Sequence, residues 1–112
     1  MAIQTLSEHV IFVTLPGNEP ERSDELRNIV EVIDTRGSCD VIISLIRAEL
    51  ITSLNISGFM ILRDLLNKQG RHLILCQVGF LTKCIFTVAG LGKHFNFADD
   101  KSAALEYLRS VN

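Results

Sequence analysis

The apolar positions along the chain change their spacing several times, and each change marks an element. His9 to Leu15 (His-Val-Ile-Phe-Val-Thr-Leu) is rich in β-branched and aromatic residues and stops at Pro16-Gly17, which predicts a strand and then a turn. Pro20-Glu21-Arg22-Ser23-Asp24-Glu25 puts proline and acidic side chains where a helix begins. Leu26, Ile29, Val30 and Ile33 follow at helical spacing, and Arg36-Gly37 closes the helix. Asp40 to Leu45 is a nearly continuous apolar run, as a strand buried on both faces requires.

The second half repeats the alternation. A helix is predicted from about Asn55 to Gln69, closed by Gly70, with Leu62, Leu65 and Leu66 inside and Arg63, Asp64, Asn67 and Lys68 outside. Arg71 to Cys76 reads as a strand. Leu81, Cys84, Ile85 and Val88 mark a third helix ending at Ala89-Gly90, with Cys84 on its apolar stripe and expected in the core. Phe95-Asn96-Phe97 alternates like a short strand. Asp99-Asp100-Lys101-Ser102 opens a last helix with Ala104, Tyr107, Leu108 and Val111 inside, its two aspartates serving as N-cap and first-turn charge. Strands alternating with helices imply βαβ units and a mostly parallel sheet, in which loops at the C-terminal ends of the strands carry function. The loop after Asp40–Leu45 is one of these, and it leads into Thr52-Ser53-Leu54-Asn55.

Composition narrows the classes. A chain of 112 residues, 47% apolar, fits a single domain over residues 1–112 with a core of its own. Eleven basic against thirteen acidic residues give a net charge of −2, which lacks the basic face of a nucleic-acid binder. The opening Met-Ala-Ile-Gln-Thr-Leu-Ser-Glu-His has no basic segment followed by an apolar one, so it does not read as a secretion signal. No apolar run reaches the ~18 residues of a membrane helix. Three cysteines (Cys39, Cys76 and Cys84) follow no disulfide or zinc spacing, which suits the reducing cytoplasm.

The chemistry is sparse. No glycine-rich phosphate loop occurs, and no cofactor or metal is expected. His72 and Cys76, four residues apart on a strand, lie about 13 Å apart, too far to share a metal. What stands out is Thr52, Ser53, Asn55 and Ser57, four small polar side chains just ahead of a helix. One reading is capping alone, since each can accept from the free N–H groups of a first turn. The other is modification. A phosphate on an exposed serine adds nearly two negative charges, which the domain tolerates and a docked partner does not.

With these residues in view, the chain resembles the STAS domains (sulfate transporter and anti-sigma factor antagonist). The resemblance covers nearly the whole length. It is strongest in the strand from Asp40, the Thr52-Ser53 turn, the helix ending at Gly70, the strand Arg71–Cys76, Phe86-Thr87-Val88-Ala89-Gly90-Leu91, and the closing Asp-Asp-Lys-Ser-Ala-Ala-Leu. It implies a mixed, mostly parallel α/β sheet of four to five strands packed by about four helices. It implies a regulatory domain, not an enzyme, that binds an anti-sigma factor or a related ATP-binding switch kinase, with a phosphatase and self-association as further partners. A gap-free match sets the phosphorylated residue on Ser53, with Thr52 and Ser57 as secondary candidates. The partner surface then comprises Thr52, Ser53, Leu54, Asn55 and Ser57 together with Gly17, Asn18 and Glu19, where the family often has Gly-Glu-Leu-Asp. Thr52 stands where the family commonly carries an acid.

Two other readings remain open at this point. The same fold can serve as an unphosphorylated scaffold or oligomerisation module in a signalling assembly, or as a flavodoxin-like domain that binds a nucleotide or other small ligand.

Overall fold

The computed structural model describes residues 3–37 and 39–112; the Met-Ala dipeptide that opens the chain lies outside them. Five strands form one sheet in sequence order: β1 (Ile3–Ser7), β2 (Val10–Thr14), β3 (Asp40–Ser44), β4 (Leu73–Cys76) and β5 (Asn96–Ala98). β1 pairs antiparallel with β2, and every later pair is parallel. Between them run α1 (Glu21–Arg36), α2 (Ser53–Lys68) and α3 (Phe80–Val88), and α4 (Lys101–Val111) follows β5.

The parallel pairs account for the burial pattern. β3 and β4 have neighbours on both sides and helices on both faces, and every residue in them is buried. Ile11, Val13, Val41, Ile43 and Leu75 point to one face, where they pack with Leu26, Ile29 and Ile33 of α1, Phe59, Leu62 and Leu66 of α2, and Phe86 of α3. Ile42, Ile74 and Cys76 point to the other face and meet Ala104 and Leu108 of α4. β2 carries this alternation as half-buried and buried residues in turn.

Glycines close the helices where the sequence places them. At Gly70 and Gly90 the chain turns left-handed, and in each case the glycine's own amide and the next one bond back to the last turn: Gly70 to Asn67 and Arg71 to Leu66, Gly90 to Thr87 and Leu91 to Phe86.

Four expectations need correction. β1 is a strand the sequence pattern does not predict; its sequence Ile-Gln-Thr-Leu-Ser has no steady alternation, and a bulge between Thr5 and Ser7 breaks its register with β2. α2 begins at Ser53, not Asn55, and its inner face includes Asn55 and Phe59, while Leu65 only flanks the core. α3 is apolar nearly all round, so spacing does not single out its inner face: Thr82 and Phe86 are buried, whereas Leu81, Cys84 and Val88, the expected stripe, are exposed. In α4, Tyr107 and Val111 are exposed beside the buried Ala104 and Leu108.

Candidate functional site

The loops at the C-terminal ends of β2, β3 and β4 meet at one edge of the sheet. Thr52 is the N-cap of α2. Its hydroxyl accepts from the Asn55 N–H at 3.1 Å, and the Asn55 side-chain carbonyl accepts from the Thr52 N–H at 3.1 Å. This reciprocal capping box fixes the first turn of the helix and satisfies one of its free amides. It leaves Ser53 as the first helical residue, exposed to solvent with Leu54 and Ser57.

Asn55 is fully buried, so it underlies the surface and does not form part of it. Its carboxamide uses its whole hydrogen-bonding capacity. Oδ1 accepts from Thr52 and from Arg22 Nη1 at 3.0 Å, while Nδ2 donates to Glu19 Oε2 at 3.1 Å and to Ser23 Oγ at 3.3 Å. The polar type of Asn55 suggested exposure, but its place three residues after a threonine N-cap is the signal that could have identified it as a cap residue.

Arg22 carries no sequence signal of its own. It is 4% exposed, a rare state for a cation. Its guanidinium donates to the carbonyls of Pro16 at 3.1 Å and Leu50 at 2.6 Å, and also to that of Gly17. It therefore holds together the loop after β2, the loop after β3 and, through Asn55, the start of α2. Nothing in the sequence separates it from an ordinary first-turn arginine.

Glu19 lies on the exposed side of this cluster. Its carboxylate accepts from the Ser23 hydroxyl at 2.7 Å and the Ser23 N–H at 2.9 Å, so it also helps to cap α1. The Ser23 hydroxyl bond lowers the Glu19 pKa most; partial desolvation works against it, and the Ser23 amide, Asn55 and the Arg22 charge lower it further. Gly17 is half-buried and Asn18 exposed, so the stretch 17–19 and the exposed part of 52–57 stand on the two sides of the buried Arg22–Asn55 pair.

The same edge is unusually apolar for a surface. Ile46, Leu50, Leu54, Phe80 and Leu81 are each at least 60% exposed. The Thr82 hydroxyl donates to the Glu49 carbonyl at 3.1 Å, which ties the first turn of α3 to the loop after β3. Leu54 also heads an apolar groove of about 380 Å³ between α1 and α2, floored by Leu26, Val30 and Gly58 and ending at Ile61. Among the described residues no group of three or more His, Cys, Asp or Glu side chains is placed to hold a metal, and no helix is long and apolar enough to cross a membrane.

No family model matches the sequence, and no curated protein sequence matches it either. Solved structures do. RsbS of Moorella thermoacetica, as a serine-to-glutamate variant, aligns with a TM-score of 0.82 at 13% identity, covering 96% of this chain and 93% of its own. The anti-sigma factor antagonist SpoIIAA in its unphosphorylated form gives 0.75 at 18% identity over 98% and 96% of the two chains. Its phosphorylated form from Bacillus gives 0.70 at 18% over 96% and 97%. A chain of the stressosome, described as a signal integration and transduction hub, gives 0.76 at 14% over 96% of each.

The chain has the STAS fold. At such identities the likeness concerns architecture, and the five-stranded, mostly parallel sheet with four helices agrees with what the sequence resemblance implied. Within this STAS fold the Thr52-Ser53 turn occupies the start of α2, at the C-terminal edge of the sheet.

Proposed function

We propose that this STAS domain is a regulatory protein-binding module, not an enzyme, and that it docks an anti-sigma factor or a related ATP-binding switch kinase in the bacterial cytoplasm. Phosphorylation of Ser53 releases the partner, and a phosphatase restores binding. The observation that carries this reading is the exposed Ser53 at the first turn of α2, set beside the exposed Leu54 and at the same edge as Ile46 and Leu50. Apolar side chains at such an edge supply docking energy through burial. A dianionic phosphate in their midst would have to be desolvated by any partner that covers them, and that cost opposes docking. The likeness to SpoIIAA in both its unphosphorylated and phosphorylated forms supports the reading. Thr52 and Ser57 are also exposed hydroxyls and are the secondary acceptors.

The experiment is binding of the cognate switch kinase by wild type, Ser53→Asp and Ser53→Ala. Ser53→Asp is expected to weaken the complex. Ser53→Ala is expected to bind and to gain no phosphate mass when incubated with cell lysate and ATP. Wild-type binding by both variants would rule out a switch at this position.

A second reading has its own support. Thr52 supplies the cap but not the charge of an acid, and one structural neighbour is a stressosome chain. An unphosphorylated scaffold that associates with copies of itself fits both facts. An intact mass that never shifts, together with a concentration-dependent increase in particle size, selects it.

A further inference from the structure

The residues of the proposed surface come from two stretches more than thirty positions apart. Asn55 joins them at one point by its bond to Glu19, and the buried Arg22 joins them across three segments. Arg22 is the buried basic residue among those described, and none of its bonds goes to a carboxylate. Three backbone carbonyls and one carboxamide oxygen accept its hydrogen bonds, and the Glu19 carboxylate acts on its charge without touching it. A buried cation held this way is costly unless every donor is well placed, so the positions of its acceptors are tightly coupled. Pro16 and Gly17 lie on one side, Leu50 on a second, and Asn55 on the third. Asn55 has no spare hydrogen-bonding capacity, and the carboxamide that receives Arg22 also receives the Thr52 N–H and donates to Glu19.

We propose that Arg22 is a positioning residue that makes the loop after β2 and the first turn of α2 a single docking unit, so that a change of charge at Ser53 is felt at Gly17, Asn18 and Glu19. The inference rests on the proposed function only for the identity of the surface. The guanidinium fork is the essential feature. A lysine at this position keeps the charge and the apolar stem, but its ammonium is a point donor and cannot reach acceptors spread across three segments.

The test needs no partner. Ser53→Asp is made in wild-type and Arg22→Lys backgrounds, and the amide resonances and amide exchange of the isotope-labelled chain are followed by NMR. In the wild-type background Ser53→Asp should shift the resonances of Gly17, Asn18 and Glu19. In Arg22→Lys those shifts should fall by more than half. Exchange at Gly17–Glu19 and at Thr52–Asn55 should rise together, by about tenfold, while amides of β3 and β4 keep their protection. A role for charge alone predicts full coupling in Arg22→Lys, and a general loss of stability predicts faster exchange in β3 and β4 as well; either result overturns the proposal. So does an absence of shifts at Gly17–Glu19 in the wild-type background. If Arg22→Lys does not fold, Arg22→Gln, whose planar amide cannot span the three segments either and which leaves the Asn55 bonds to Thr52 and Glu19 in place, is read in the same way. A chain that is never phosphorylated in cells would defeat the switch at Ser53 but leave this coupling measurable.

Discussion

A Cβ added to Gly17 would stand 2.7 Å from the carbonyl oxygen of Arg47. The atom it meets is backbone, so relief requires the loop after β2 or the loop after β3 to move. Both loops feed the Arg22 cluster, since Arg22 bonds to the carbonyls of Gly17 and Leu50. Gly17→Ala should therefore cost about 1–3 kcal/mol of stability, as other overpacked sites do. Urea unfolding measures it. An unchanged midpoint would show that the two loops are not held at this separation.

Thr52 separates capping from charge. Thr52→Ala removes the acceptor of the Asn55 amide and should cost about 1 kcal/mol. Thr52→Asp keeps the cap, favours the helix N-terminus electrostatically, and should stay within about 0.5 kcal/mol of wild type or exceed it. It also places an acid beside Ser53. On the proposed function, phosphate incorporation at Ser53 should rise in Thr52→Asp relative to wild type when the two are treated with the same lysate and ATP. Equal incorporation would separate the missing acid from the modification.

Four of the five strands and most helix ends are legible, because β3 and β4 are continuous apolar runs and α1 and α2 end in glycine. Hydrophobic pattern alone fails where it is degenerate. α3 offers apolar residues on every side, so Phe86 could not be told from Leu81 or Val88 as the inward one. β1 lies at the sheet edge with most of its residues exposed, and nothing demands that it alternate. The turn at Ser53 was legible as a polar cluster before a helix, yet its two organising residues were not. Asn55 and Arg22 are polar types whose burial follows from long-range partners across 33 positions, and no local spacing encodes that contact.

Glu19 gives the cluster a pH signature. Its folded-state pKa lies below the ordinary 4.5, chiefly through the Ser23 hydroxyl. A lowered carboxylate pKa stabilises the fold above 4.5, and that contribution fades as pH falls through the lower folded value. NMR titration of the Glu19 carboxyl should show a midpoint below 4.5 in wild type and a higher one in Ser23→Ala. Coincident midpoints would mean that the Ser23 bonds are absent in solution.

The cysteines should divide by burial. Cys39 and Cys76 are buried and Cys84 is exposed. Burial pushes the Cys76 thiol up to about 11, with a bond to Ser44 opposing, so it presents almost no thiolate at neutral pH. A thiol reagent at mildly alkaline pH should modify Cys84 rapidly and the other two only as the chain unfolds. Cys84→Ser should remove the fast phase. Two fast thiols would place a second cysteine at the surface.

The opposite end of the sheet provides a control for stability without function. Asp40, at the start of β3, is fully buried and accepts from the His72 N–H at 2.8 Å, from Arg71 at 2.9 Å and from the Asn112 side chain at 2.9 Å. It joins β3, β4 and the end of α4 there, while Ser53 follows the far end of the same strand. Asp40→Ala strands three donors and should cost about 2–4 kcal/mol. Leu54→Asp, at a side chain 66% exposed, should change stability by about 0.5 kcal/mol or less. On the proposed function the order reverses for docking: below its unfolding midpoint Asp40→Ala should still bind the switch kinase, and Leu54→Asp should not. Urea unfolding and kinase binding, measured on both variants, read the two effects apart. Intact binding by Leu54→Asp would move the docking face away from the start of α2.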